Sequence, residues 1–226
     1  MKDKEYPPPI LQNVDFDILC PFGPTLGKLK MSDDLVGYLL TGMDKSQTDH
    51  GHKLAGRIEH QPKFLEHTAQ KVLKELVSGI LQYFIDTIRI NSHGLYKVQG
   101  EHELLFLTGW FVDQVAGEYN PRHHHTQCSL SCVGYLELPA SISAPEDPNC
   151  LDGCIEFSYG DPQELSSHVF YIRPKVGDFY VFPSFLNHCV APFKGEGRRK
   201  SFSMNMAVAP IQKEGGNDAQ TIERKD

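Results

Sequence analysis

The chain lacks any apolar run approaching the ~18 residues of a membrane span. Leu104 to Val112 is its most apolar stretch, and Thr108 and Gly109 interrupt it. It also lacks a signal-peptide core, because Met1 to Pro9 is charged and then proline-rich. These absences lead us to expect a soluble, cytoplasmic protein with no membrane partner. Positive charge is in short supply: Lys+Arg total 22 against 29 Asp+Glu, a formal net charge of −7. That balance argues against a nucleic-acid partner, whose phosphates are neutralised by clustered cations. Cysteine is sparse as well, six in 226 residues, and no pair has the C-x₂-C spacing of common zinc sites. Cys128 and Cys132 on one strand would stand about 13 Å apart, too far to share a metal. Reduced thiols are the expectation for all six.

What is present divides in two. From Ser32 to about Ile90 the pattern is helical. Ser32 can cap a short helix whose first turn carries Asp33 and Asp34, with Leu35, Val36, Leu39 and Leu40 on one face and Gly42 as its stop. A longer helix is expected from about Pro62 to Ile88, on the three-and-four spacing of Leu65, Ala69, Val72, Leu76, Ile80 and Phe84. Between them, Asp49 to His60 reads as a polar loop with a short strand. Upstream, Asp15–Cys20 and Leu26–Lys30 read as short strands.

From about Leu104 onward the chain reads as strands: Leu104–Val115, Ser129–Leu138, Cys154–Tyr159, Val169–Arg173, Phe179–Phe182, Cys189–Phe193 and Lys200–Ala207. Gly117, Pro121, Pro145, Pro148, Gly160, Pro174 and Gly177 punctuate them. Short strands at this spacing suggest a barrel or sandwich, with the helices buttressing one sheet. The expected class is therefore α+β, mainly β: one domain over 1–211, with helical support at about 32–90 and a β core at about 104–208. A flexible polar tail is expected over 212–226.

The stretch Asn120-Pro121-Arg122-His123-His124-His125-Thr126 carries the densest chemistry. On a strand, His123 and His125 face one side and His124 the other, about 6.6 Å separating the first pair along the backbone. Two imidazoles so placed can converge on one metal at roughly 2.1 Å. A third ligand must come from elsewhere, and His188, after the proline-marked Phe182–Leu186 segment, is the best candidate. A bulge at Pro121 would instead bring in His124. Eleven residues beyond His188 lies Arg199, facing the same side as Ser201, a pairing suited to clamping a carboxylate. If His188 begins one strand and Arg199 the next antiparallel one, the guanidinium approaches the histidines. Read alone, the triplet is equally a surface feature, and Arg198 to Lys200 a solvated basic turn.

Taken together, these residues resemble the iron(II)- and 2-oxoglutarate-dependent oxygenases of the double-stranded β-helix (jelly-roll) fold. More narrowly they resemble the oxygenases related to prolyl hydroxylases that carry Asn-x-x-His-x-His, matched here by Asn120, His123 and His125. Leu130, Ser131, Val133 and Tyr135 match the following strand, and Gly153, Ile155 and Phe157 the next. Pro174, Gly177, Asp178, Phe182, Pro183 and Ser184 lead to His188. Arg199, Ser201, Ser203 and Asn205 match the final strand. The resemblance covers about 104–208. It implies iron(II) on His123, His125 and His188, the distal carboxylate of 2-oxoglutarate on Arg199 with Ser201, and a cosubstrate hydrogen bond from Tyr135. It further implies a dioxygenase that uses O2, converts 2-oxoglutarate to succinate and CO2, and hydroxylates a prolyl residue or a small metabolite. Tyr119 and Trp110 are candidates for the substrate pocket or for barrel packing.

The sequence departs from that pattern at three places. His125 stands where the wider superfamily has a carboxylate, Thr126 where the narrower family commonly has proline, and Cys132 where it has glycine. Two other readings stay open: a cupin-like three-histidine dioxygenase that uses no 2-oxoglutarate, and a non-catalytic β-helix protein with a degenerate metal site. Arg199 separates the 2-oxoglutarate oxygenase from the cupin-like dioxygenase, being required only where 2-oxoglutarate binds.

Overall fold

Ser32 caps the first helix as its side chain predicts: Oγ accepts from the Leu35 N–H at 3.1 Å. The same residue donates through its N–H and hydroxyl to the Glu75 carboxylate, at 2.7 and 2.8 Å, which ties this helix to the next. In the computed structural model, which describes residues 23–46, 48–211 and 223–224, a first strand β1 (Gly27–Lys30) precedes helix α1 (Asp33–Lys45). Leu35, Val36, Leu39 and Met43 form its buried face. Gly42 does not stop α1. It lies where the helix passes the sheet, and an added Cβ would stand 3.7 Å from the Phe111 ring.

Helix α2 (Glu66–Asn91) starts four residues later than the pattern suggested. Residues 60–64 are committed instead to extended pairing: Asp113 N–H donates to His60 O, Phe111 N–H to Pro62 O, and Phe64 N–H to Gly109 O. Leu65, expected on the apolar face, is left as the exposed N-cap residue.

The strand succession follows: β2 (Tyr96–Lys97), β3 (His102–Gln114), β4 (Asn120–His123), β5 (Leu130–Glu137), a four-residue helix α3 (Ala140–Ser143), β6 (Ile155–Ser158), β7 (Val169–Ile172), β8 (Asp178–Pro183), β9 (Asn187–Val190), β10 (Arg199–Pro210) and β11 (Glu223–Arg224). Nine of the strands build two facing antiparallel sheets, β1-β8-β5-β10-β3 and β4-β9-β6-β7, the double-stranded β-helix, and β2 pairs with β11 in a separate two-stranded sheet. The large sheet is covered outside by α1 and α2, and this layer holds the main core, with Leu39, Val72, Leu76, Ile80, Phe111, Phe179 and Phe202. A second core, with Tyr135, Phe157, Tyr180, Phe182 and Leu186, lies between the sheets. Alternation along β10 makes the division visible. Phe202, Met204 and Met206 pack under the helices, while Arg199, Ser201, Ser203 and Asn205 face the barrel interior.

One topological expectation is corrected. His188 and Arg199 do not sit on paired neighbouring strands. β9 belongs to the small sheet, where His188 pairs with Phe157 and His123, whereas β10 belongs to the large sheet, where Arg199 pairs with Gln114. Residues 191–198 carry the chain across the barrel, so the two side chains converge from opposite walls. The expected strand at Asp15–Cys20 lies outside the described residues. So does the expected tail, except for Glu223–Arg224, whose backbone pairs with Lys97 and Tyr96. Among the described residues no helix is long and apolar enough to cross a membrane. Cys128, Cys132, Cys150, Cys154 and Cys189 are free thiols.

Candidate metal and cosubstrate site

The interior of the barrel opens into a cavity of about 320 Å³ lined from both sheets. At its centre stand His123, His125 and His188, whose ligand nitrogens all lie within 4.8 Å of one another. Backbone pairing sets this up. His123 and His188 are register partners across β4 and β9, and an irregularity between Asn120 and His123 re-aims the strand. His125 follows just beyond β4, held by its N–H to the Ser184 carbonyl at 2.9 Å. His124 is exposed and, although it lines the cavity, is not part of the three-histidine group.

The tautomers are fixed by the chain itself. His123 Nδ1 lies 2.7 Å from the Pro121 carbonyl and His188 Nδ1 2.9 Å from that of Leu186. Each Nδ1 must carry the proton to donate there, which leaves Nε2 as a free lone pair. Burial, reinforced by the neighbouring histidines, pushes His125 down to about 4 and His188 to about 3; burial lowers His123 too. All three are therefore neutral near pH 7, the form that ligates metal. The Nε2 atoms of His125 and His188 are 3.3 Å apart. Two nitrogens about 2.1 Å from one ion at right angles would be about 3 Å apart, so the donor set suits a divalent metal. Trp110 stacks on His125, ring centres 5.7 Å apart, and closes that side of the cluster.

The second group is Arg199, only 1% exposed. Its Nη1 donates to Gln114 Oε1 at 3.3 Å and to Ser201 Oγ at 3.2 Å. Gln114 is itself oriented, since its amide donates to the Glu118 carbonyl. Neither contact neutralises the charge, and among the described residues Arg199 Nε and Nη2 and the buried Tyr135 hydroxyl have no hydrogen-bond partner. Tyr135 is fully buried and outside the cavity lining, its ring centre 5.2 Å from Arg199 Cζ. Burial pulls the guanidinium downward and pushes the Tyr135 phenol up to about 12. A buried cation with no anion costs several kcal/mol. Two free guanidinium donors, a phenol O–H and the Ser201 hydroxyl, whose own proton is still available, suit a carboxylate.

Of the two candidate pocket aromatics, the structure brings Trp110 into the cavity wall. Tyr119 is 41% exposed and absent from the lining. Its backbone is what matters, its carbonyl accepting from the Arg57 N–H. Sequence reasoning missed His50, Gln61 and Gln114. Gln114 was within reach, because Trp110, Val112 and Gln114 share one face of β3 by alternation. His50 and Gln61 offered no such signal. They reach the cavity only because a loop between the helices folds back onto β3.

Residues 108–205 match the family model described as "Putative 2OG-Fe(II) oxygenase". That segment contains every residue of both clusters, and the sequence resemblance is to the same kind of protein. The fold resembles HygX from Streptomyces hygroscopicus, solved with nickel and 2-oxoglutarate bound (TM-score 0.52, 10% identity, 88% of this chain and 92% of that one). It also resembles an oxidoreductase of the 2OG-Fe(II) oxygenase family from Burkholderia pseudomallei (TM-score 0.50, 11% identity, 80% and 84%). A Pseudomonas putida prolyl-4-hydroxylase aligns at TM-score 0.49 with 15% identity, over 80% and 91%. No curated protein matches the sequence. The family match covers 98 of the 226 residues, and the likeness to the solved structures is one of fold.

Proposed function

We propose that this protein is an iron(II)- and 2-oxoglutarate-dependent dioxygenase that hydroxylates a small molecule or an exposed side chain. The observation that carries this reading is the buried Arg199, with two unmatched donors beside Ser201 and the Tyr135 hydroxyl, in the same barrel as the three-histidine cluster. A metal site alone would need no such cation.

His123, His125 and His188 would hold iron(II), and Arg199, Ser201 and Tyr135 the distal carboxylate of 2-oxoglutarate. Bound iron(II) supplies open positions for 2-oxoglutarate and O2 and couples decarboxylation of the one to oxidation of a substrate. The chain's own contribution is positioning. The Pro121 and Leu186 carbonyls hold two imidazoles with their Nε2 atoms free. Val133, Ile155, Phe182 and Val190 form the apolar part of a mixed cavity wall, and the burial of Arg199 keeps its electrostatic grip strong. His125 in place of a carboxylate leaves the metal charge less compensated, so more of the neutralisation falls to the cosubstrate dianion. HygX has been solved with nickel, 2-oxoglutarate and hygromycin B, an example of this fold taking a small molecule.

The test is turnover of 2-oxoglutarate with iron(II) and O2, followed as succinate. Slow succinate formation without added substrate is expected in wild type, with none in His188→Ala. Equal rates in both proteins would contradict the proposal.

A further inference from the structure

The segment Asp49–Gln61, between α1 and α2, forms one wall of the cavity. Its base is fastened: His50 N–H donates to Gln61 O at 2.9 Å, and Arg57 N–H to Tyr119 O at 2.8 Å. Gln61 is 1% exposed, its amide donating to the Ile58 carbonyl. A 3-10 turn, Gly51–Lys53, lies within the segment. From this segment His50, Lys53, Leu54, Ala55 and Gln61 line the cavity, and the His50 ring lies 5.8 Å from that of Trp110.

The charges are one-sided. No Asp or Glu is among the described residues lining the cavity, although the chain as a whole carries −7. The lining cations are Arg199, buried at one end, and Lys53, exposed at the rim. Three acids within two residues of the lining in sequence are engaged elsewhere. Asp49 accepts from the Gly51 N–H and lies beside His52, Asp113 pairs with Arg198, and Glu118 accepts from the Glu59 and Val115 N–H groups. Lys53 has no ion-pair partner among the described residues. A Lys at the rim of a pocket stripped of carboxylates attracts anions and penalises cations.

We infer that Lys53, carried on the Asp49–Gln61 wall, is a specificity-determining residue that selects substrates bearing a carboxylate, with their nonpolar body set against Trp110. The inference rests on the oxygenase reading, which assigns Arg199 to the cosubstrate and leaves Lys53 for the substrate. Arg199 cannot serve both, because a bidentate carboxylate consumes its free donors.

Trp110 is the only tryptophan of the chain, so its fluorescence reports the cavity directly. The experiment loads the protein with zinc(II), redox-inert, and 2-oxoglutarate, and verifies cosubstrate binding by calorimetry. It then titrates 3-phenylpropanoate and, separately, 3-phenylpropanamide while following Trp110 emission. The carboxylate should bind about fivefold more tightly than the amide, an advantage that weakens with added salt. Lys53→Gln should abolish the difference, and Lys53→Arg should retain it, with 2-oxoglutarate affinity unchanged in both. Equal responses to the two probes in wild type, including no response to either, would overturn the inference while leaving the oxygenase reading intact. A carboxylate preference that survives in Lys53→Gln would overturn it as well. Failure of 2-oxoglutarate to bind wild type would instead remove the reading beneath it, and the inference with it.

Discussion

Arg199 is where stability and function oppose one another most directly. A guanidinium at 1% exposure, with unmatched donors and no counter-ion among the described residues, destabilises the ligand-free barrel. Arg199→Met should therefore leave unfolding stability unchanged or raise it by about 1–2 kcal/mol, while abolishing 2-oxoglutarate binding. Chemical denaturation and calorimetry check the two halves separately. Asp178 shows the opposite case. Burial works against its charge, but Lys28 at 2.9 Å, the Tyr180 hydroxyl at 3.1 Å and Lys30 at 3.5 Å more than offset this and hold the carboxyl below its ordinary value. Its contribution is thus fully present above the unfolded carboxylate pKa of about 4 and is lost as pH falls through the lower folded value. Asp178→Asn should cost about 1–2 kcal/mol at pH 7, since both lysines are largely exposed, and less at pH 2. Denaturation at the two pH values gives the difference.

Among the elements, β10 carries the most information, one face packing under the helices and the other presenting Arg199, Ser201, Ser203 and Asn205. Its partner β5 has a matching constraint at Gly134, where a Cβ would lie 2.3 Å from the Phe202 ring. The ring fills the space that a side chain would need. Gly134→Ala should therefore destabilise by about 1–3 kcal/mol, read as a lowered Tm, although the backbone there needs no special conformation. Strands such as these are legible in sequence because alternation survives wherever one face is buried. The histidine pair on one side of β4, and Arg199 in phase with Ser201, were readable for the same reason. Partnership between strands was not: nothing local in residues 187–199 says that the chain changes sheets. The start of α2 was hidden likewise, because residues 60–64 have helical neighbours in sequence but pair with β3 in space. Tyr119 misled for a related reason, its proximity in sequence to the histidines carrying no information about which way its side chain turns.

At the scale of the whole molecule, an acidic protein encloses a cavity whose described lining has no acid and five histidines. The three neutral imidazoles of the cluster, one buried guanidinium and one rim lysine make a site that favours anions, whereas the chain's net charge does not. The helices pack behind the large sheet and leave the barrel interior to the polar residues of β10 and β3. The most direct test of this account is an anaerobic titration of the purified protein, first with iron(II) and then with 2-oxoglutarate. Trp110 emission and the weak visible charge-transfer band of the chelate are the readouts. Iron(II) should quench Trp110, which stacks on His125, and 2-oxoglutarate should then bring up the band. In Arg199→Met the quenching should persist and the band should not appear; in His188→Ala neither should reach the wild-type level. An iron-loaded wild type that gives no band, or a band undiminished in Arg199→Met, would contradict the assignment of the two clusters.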